Sequence, residues 1–276
     1  MLVDLHIHTT ASDGIYTPEN ILQMAIAAKL ETIAITDHDN AAGYIRARKY
    51  IETQALQIKL IPGVEIDTYF DDMDVHILGY HINPYYKPLL EAMEWIRNGR
   101  IKRIEQMLSN LNFLGYSITQ AEVTAEAKQS KSIGRPHIAR VMVKKGYFQT
   151  EQAVFDALIA RGKPAFCQQK KINPQEVVKL IQEAGGITFL AHPSELRSHD
   201  FVKKVIKACS FNGVEVWHPS AYYCHEVNTW LNLAKKLNLL TSGGSDFHGN
   251  KDRYPTQLGI FKVSYDKVKN VIEWKE

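Results

Sequence analysis

Apolar and polar positions alternate from the start of the chain. In Val3-Asp4-Leu5-His6-Ile7-His8, Leu5 and Ile7 fall on one face of an extended segment while His6 and His8 share the other. After Gly14 the period lengthens. Thr17 can cap and Pro18 can open a helix through about Leu30, with Ile21, Leu22, Ala25 and Ile26 as its stripe. The β-branched run Thr32 to Thr36 then predicts a buried strand, followed by a helix around Tyr44 to Gln54, a strand from about Ile58 to Ile66, and another from Asp74 to Tyr80.

From about Tyr85 the rhythm changes. The stretch Leu89 to Asn112 carries Leu90, Met93, Ile96, Ile101, Ile104, Met107, Leu108 and Leu111 at helical spacing, and further helices are predicted near 119–127, 136–145 and 150–159. Strand-helix alternation resumes with a helix over 174–184 closed by Gly185-Gly186, a strand over 187–191, a helix over 201–208, a strand over 213–217, a helix near 223–237 and a strand at 239–241. This pattern predicts an α/β barrel of parallel strands, residues 1–97 and 166–276, interrupted by a helical insertion over 98–165.

Composition adds bounds. With 276 residues, 45% hydrophobic and 23% charged, the chain has material for a large core and no signature of disorder or of a disulfide scaffold. A net charge of +3 tolerates an anionic substrate but does not announce a nucleic-acid coat. Cys167, Cys209 and Cys224 are odd in number and far apart, and read as free thiols serving as small apolar fillers. No apolar run reaches the ~18 residues of a membrane span, and no basic leader precedes the first strand, so a soluble cytoplasmic protein is expected.

The chemistry collects where predicted strands end. His6, His8 and Asp13 follow the first strand, Asp37 and His38 the second, Glu65 the third and His76 the fourth; His192, His218 and the pair Asp246 and His248 follow the later ones. If the strands are parallel, these groups meet on one rim. Nine nitrogen and oxygen donors, His6, His8, Asp13, His38, Glu65, His76, His192, Asp246 and His248, are too many for one four-coordinate ion and suit two or three.

Taken in order, H-x-H at His6 and His8, S-D-G at Asp13, T-D-H-D at His38, G-V-E at Glu65, H-I-L-G-Y at His76, A-H-P at His192 and S-D-x-H at Asp246 and His248 resemble the polymerase and histidinol phosphatase (PHP) superfamily of metal-dependent phosphoesterases. The resemblance runs from end to end and implies a distorted seven-stranded β/α barrel with a trinuclear centre. It assigns one ion to His6, His8, Glu65 and Asp246, a second to the bridging Glu65 with His76 and His192, and a third to Asp13, His38 and His248. It makes Asp37 an orienting partner of an imidazole. Three divalent ions are implied, manganese first, with iron or zinc as alternatives.

The helical insert, with G-R-P-H-I-A at Gly134 to Ala139 and R-G-K-P-A-F at Arg161 to Phe166, resembles the branch holding nucleoside 3′,5′-bisphosphate phosphatases and exoribonucleases that remove 5′-nucleotides from short RNA. Arg135 offers a phosphate fork at a helix start, and His137 and Lys163 are further substrate-contact candidates. His218 is a candidate substrate ligand or general acid, with a buried structural histidine as the other reading. The expected activity is hydrolysis of a nucleotide or short single-stranded RNA ester by a metal-activated water. A phosphatase of small monophosphates and an inactive metal-binding scaffold are the alternatives, and neither a membrane nor an obligate protein partner is expected.

Overall fold

In the computed structural model, which describes residues 1–127, 133–168, 172–251 and 253–275, one sheet runs through the molecule. Strands β1 (Leu2–Ile7), β2 (Thr32–Ile35), β3 (Lys59–Phe70), β4 (Met73–Tyr80), β5 (Ile187–Leu190), β6 (Gly213–Trp217) and β7 (Leu240–Gly243) neighbour one another in chain order, and a two-residue β8 (Val263–Ser264) pairs antiparallel with β1. Beyond β7 the chain returns to β1, where the Asp246 N–H donates to the His6 carbonyl at 2.9 Å and the His8 N–H to the Phe247 carbonyl at 3.0 Å. The sheet is thereby a nearly closed barrel. A Cβ at Gly244 would stand 2.2 Å from the His6 nitrogen, so glycine is what lets this return segment lie against β1.

Helices α1 (Pro18–Ala27) and α2 (Ala42–Gln54) link the first three strands. As its sequence predicts, α1 starts with Pro18 in its first turn and the Thr17 hydroxyl accepting the Asn20 N–H at 3.3 Å. After β4 come α3 (Lys87–Phe113), α4 (Gln120–Ala127), α5 (Arg135–Lys144) and α6 (Glu151–Val154), the last running into a π-turn at Phe155–Ile159. Helices α7 (Pro174–Glu183), α8 (His199–Ala208), α9 (Pro219–Tyr223), α10 (Val227–Leu237) and α11 (Tyr265–Ile272) complete the layer around the barrel. The helix expected over 223–237 begins only at Val227, and a separate short helix, α9, ends at Tyr223, with His225 at φ 58° between them.

The strands are not all parallel. β1, β2 and β3 run parallel, as do β5, β6 and β7, but β4 is antiparallel to both of its neighbours. The cause is local: β3 continues past the rim to Phe70, turns at Asp71 and Asp72, both at positive φ, and comes straight back. So tight a connection permits only antiparallel pairing. His76 therefore reaches the rim from mid-strand, directly opposite Asp67.

Two cores share α3. Leu89, Met93 and Ile96 of its first half belong to the barrel core, whereas Ile104, Met107, Leu108 and Leu111 bury against Ile138, Met142, Leu158 and Ile159 in a separate cluster. The expected insertion starts inside this helix, near that change of partners; its residues 128–132 lie outside the described residues. Of the cysteines, Cys209 is buried, Cys167 is half-buried and Cys224 is exposed, so the filler role suits Cys209. Among the described residues no helix is long and apolar enough to cross a membrane.

Candidate metal centre

Alternation along β1 puts His6 and His8 on the barrel's inner face, and both rings are fully buried. Other rim positions use unusual backbone. His192, Asp246 and Asp39 hold φ of 26°, 54° and 49°, which turns the chain sharply after the strands.

The donors meet. The His6 and His8 Nε2 atoms lie 3.1 Å apart. Each is 3.1–3.3 Å from both Glu65 Oε2 and Asp246 Oδ1. These are five of the six edges of a tetrahedron, and a regular one of that edge has its centre about 2.0 Å from every corner, the length of a zinc-type metal–nitrogen bond. The other oxygen of Glu65, Oε1, lies 2.9 Å from His76 Nδ1 and 3.0 Å from His192 Nε2. One carboxylate thus faces two donor groups. A third group is looser: His248 Nε2 lies 3.3 Å and His8 Nδ1 3.8 Å from Asp13 Oδ1, and His38 Nε2 stands 4.0 Å from Asp13 Oδ2.

The charges in this cluster balance one another. Burial opposes protonation of His8, but hydrogen bonds to Asp246 and Glu65 outweigh it and lift the ring to about 10. His192, against the same burial, is lifted to about 9 by the charge of Glu195 and by Glu65. Burial works against ionising Glu65, yet His38, His6 and His76 hold it well below the usual carboxylate range. The donor set fits cations: Asp13 Oδ1, which faces His248 and His8, is buried and makes no hydrogen bond of good geometry among the described residues. Once a cation displaces their protons, these imidazoles together with the carboxylates suit manganese, iron or zinc.

All nine sequence-predicted donors therefore converge on one rim. Asp37 lies behind it, where its carboxylate accepts the Thr9 N–H at 2.8 Å, the Thr9 hydroxyl at 2.8 Å and the Ser12 hydroxyl at 2.6 Å. Among the described residues no hydrogen bond joins it to an imidazole, so its reach to His8 runs through Ser12, whose Oγ is 3.5 Å from His8 Nδ1. Arg135 lines the central cavity, 3.5 Å from Asp74 and over the Phe155 and Phe166 rings. His137 does not line it. Its ring is buried and Nδ1 accepts the Gly134 N–H at 3.0 Å, closing the start of α5. Lys163 is exposed and outside the cavity wall. His218 is buried beside the cluster, its Nε2 3.7 Å from Asp246 Oδ2.

Several site residues escaped the sequence reading. Glu215 stands behind the cluster, 2.9 Å from His6 Nδ1 and accepting the His192 N–H at 2.8 Å, so it turns the other His6 nitrogen toward the donors. Its V-E-V setting in β6 has the same alternation that singled out Glu65. Asp67, two residues after Glu65, lies 3.2 Å from His38 Nδ1 and 3.3 Å from His76 Nε2. Arg100, Arg103 and Arg253 also line the cavity, and Arg253 pairs with Asp246. Helical periodicity had marked Arg100 and Arg103 only as polar positions, and no local pattern distinguishes them.

Comparison with known proteins meets this geometry. The PHP domain family model matches residues 4–274. The chain belongs to the PHP domain family. Among curated PHP relatives, the 5′-3′ exoribonuclease Rnm of Escherichia coli K12 is 32% identical over 90% of this chain and 85% of its own. The 3′,5′-nucleoside bisphosphate phosphatase of Chromobacterium violaceum is 29% identical over 89% of this chain and 87% of its own. The crystal structure of a candidate metal-dependent phosphoesterase from Bifidobacterium adolescentis superposes with a TM-score of 0.86 at 29% identity, covering 98% of this chain and 95% of that one.

Proposed function

We propose that this PHP protein hydrolyses nucleotide phosphate esters, releasing phosphate from nucleoside 3′,5′-bisphosphates, trimming short RNA from its 5′ end, or both. The observation that carries the reading is the division of Glu65, whose two oxygens face separate donor groups beneath one cavity. Three divalent ions, manganese first, would be held by His6, His8, Glu65 and Asp246, by Glu65, His76 and His192, and by Asp13, His38 and His248. Bound there, they supply Lewis acidity toward the phosphoryl oxygens and a lowered pKa for an attacking water.

The residues opposite the cluster argue for an anionic substrate. The cavity, about 320 Å³, has Arg100, Arg103, Arg135 and Arg253 in its wall. Arg100 is committed to Asp39 and Asp67, and Arg253 to Asp246. Burial, together with the neighbouring Arg135, pulls the Arg103 guanidinium down to about 10. Two crowded guanidiniums with room before them favour a phosphate, which relieves their repulsion and accepts their forked hydrogen bonds. Helices 98–165 act as the cap that carries Arg103 and Arg135 over the rim. In this role Arg135 fixes the phosphate while His218, with Nε2 toward the reacting region, donates to a substrate oxygen.

Phosphate and nucleotide release from a nucleoside 3′,5′-bisphosphate, a nucleoside 5′-monophosphate and a short 5′-phosphorylated RNA, each with manganese and with a chelator, tests the reading. Turnover of the bisphosphate or the RNA, abolished by the chelator, is expected. Release from none of the three would overturn it, and release from the 5′-monophosphate alone would favour a general small-monophosphate phosphatase.

A further inference from the structure

Beside the central cavity lies a larger one of about 770 Å³, between α9 and the chain around residues 253–262. Glu195, Asp246 and Arg253 line both, so the two cavities adjoin at the metal cluster across the paired Asp246 and Arg253 side chains. The second cavity is graded. Its inner end is polar, with Asp246, Arg253 and His218; its outer end carries Tyr222, Phe261 and Tyr254. The Tyr222 and Phe261 rings meet edge to face, with centroids 5.5 Å apart at 79°. Tyr222 is 46% exposed and Tyr254 57%, so aromatic surface is left open beside the cluster.

A buried polar group points the same way. His218 is 2% exposed, and its Nδ1 accepts the Ser220 N–H at 3.1 Å and lies 2.6 Å from the Ser220 hydroxyl. An Nδ1 that accepts from a backbone amide carries no proton, so the neutral ring holds its proton on Nε2. That Nε2 makes no hydrogen bond of good geometry among the described residues, standing 3.7 Å from Asp246 Oδ2, and His218 is one of the residues lining the cavity. A buried donor left this way calls for an acceptor from a ligand.

We propose that this cavity is the nucleoside pocket: the base lies against Tyr222 and Phe261, and a sugar oxygen accepts the His218 Nε2–H. The inference rests on the proposed phosphoesterase function and adds which surface reads the substrate. A free phosphate would leave the aromatic end empty, and a purely apolar ligand would leave the His218 donor unpaired. A nucleotide satisfies both ends, with its phosphate in the smaller cavity and its flat base in the larger. The volume falls within the ~300–1,000 Å³ of small-molecule pockets.

The test compares a nucleoside 3′,5′-bisphosphate with the corresponding abasic sugar bisphosphate, in the wild type, Tyr222→Ala and Tyr222→Phe. Tyr222 is half exposed, so its truncation leaves the cores intact. In the wild type the kcat/KM ratio of nucleotide to abasic ester is high. Tyr222→Ala is expected to lower that ratio about tenfold or more, mainly through KM, and Tyr222→Phe to retain it. Calorimetry with adenosine gives a readout independent of turnover, with binding weakened to the same degree in Tyr222→Ala. An unchanged ratio together with unchanged adenosine binding overturns the pocket. Hydrolysis of neither ester by the wild type overturns the proposed function instead, and adenosine binding then still decides the pocket.

Discussion

Glu65 and Asp67 occupy alternate positions of β3 and point to the same face, yet they tie it to different parts of the molecule. Glu65 Oε2 lies 3.1–3.3 Å from donors on His6, His8 and His38, while Asp67 Oδ2 lies 2.6 Å from Arg100 on α3. Asp67 Oδ1 meanwhile stands within 3.3 Å of His38 and His76. The strand that supplies Glu65 therefore also fastens α3 to the rim. Position of α3 and geometry of the donors are set by one short stretch of backbone.

Replacing Glu65 with Gln keeps the shape and removes the charge between the two donor groups. Turnover is expected to fall by about a thousandfold or more, with kcat rather than KM carrying the loss. Steady-state kinetics on the bisphosphate in saturating manganese measures it. A rate near wild type would show that Glu65 does not bridge.

Arg100 is buried with two carboxylates, Asp39 at 2.7 Å and Asp67 at 2.6 Å. Arg100→Met leaves both without their counter-charge, and unpaired buried charge of this kind costs about 3–5 kcal/mol. Urea unfolding of the variant is expected to show a loss of that size. Adding Asp39→Asn to it should restore part of the loss. An unchanged urea midpoint would mean that α3 is not anchored here.

The substrate role proposed for Arg135 predicts a different split. Arg135→Ala is expected to raise KM about ten- to a hundredfold, the worth of a charge-assisted hydrogen bond, with a much smaller effect on kcat. Metal content should be unchanged, because Arg135 touches none of the nine donors. Loss of ions in this variant would contradict the assignment.

His137 gives the start of α5 a pH signature. Burial first, and then the charge of Arg140, hold its ring down to about 4 from 6.5. Above pH 6.5 the ring is neutral in both folded and unfolded chains. As pH falls from there toward 4 the unfolded chain takes up the proton first, so stability is lost, by about 2 kcal/mol between pH 7 and 5. Urea unfolding at the two pH values checks it against His137→Asn, whose side-chain oxygen can still accept the Gly134 N–H but does not titrate. The stability gap between wild type and variant should narrow by that amount at pH 5. An equal gap at both values would show that His137 does not carry the effect.

Much of the site was legible in the chain because strands announce themselves by short apolar runs, and most of the runs here carry a histidine or carboxylate at or near their end. Alternation alone placed His6 and His8 on one face and set Glu65 apart from Val64 and Ile66. The antiparallel course of β4 was not legible, since the apolar pattern of Asp74 to Tyr80 is the same in either direction and the turn at Asp71 and Asp72 decides it. Glu215 carried the signal of Glu65 but lacked a neighbouring motif to draw attention. Arg100, Arg103 and Arg253 could not be read at all, because a guanidinium on a helix or loop looks like solvated charge until the fold turns it inward. His137 shows the reverse: a helix-start histidine that reads as an anion contact is occupied by its own backbone.

The central claim is that donors drawn from six strands and the loops that follow them hold several cations at once. Elemental analysis of the chain, stripped with a chelator, reloaded in excess manganese and desalted, tests it most directly. About three ions per chain are expected, falling in Glu65→Gln. One ion or none in the reloaded wild type would contradict the account.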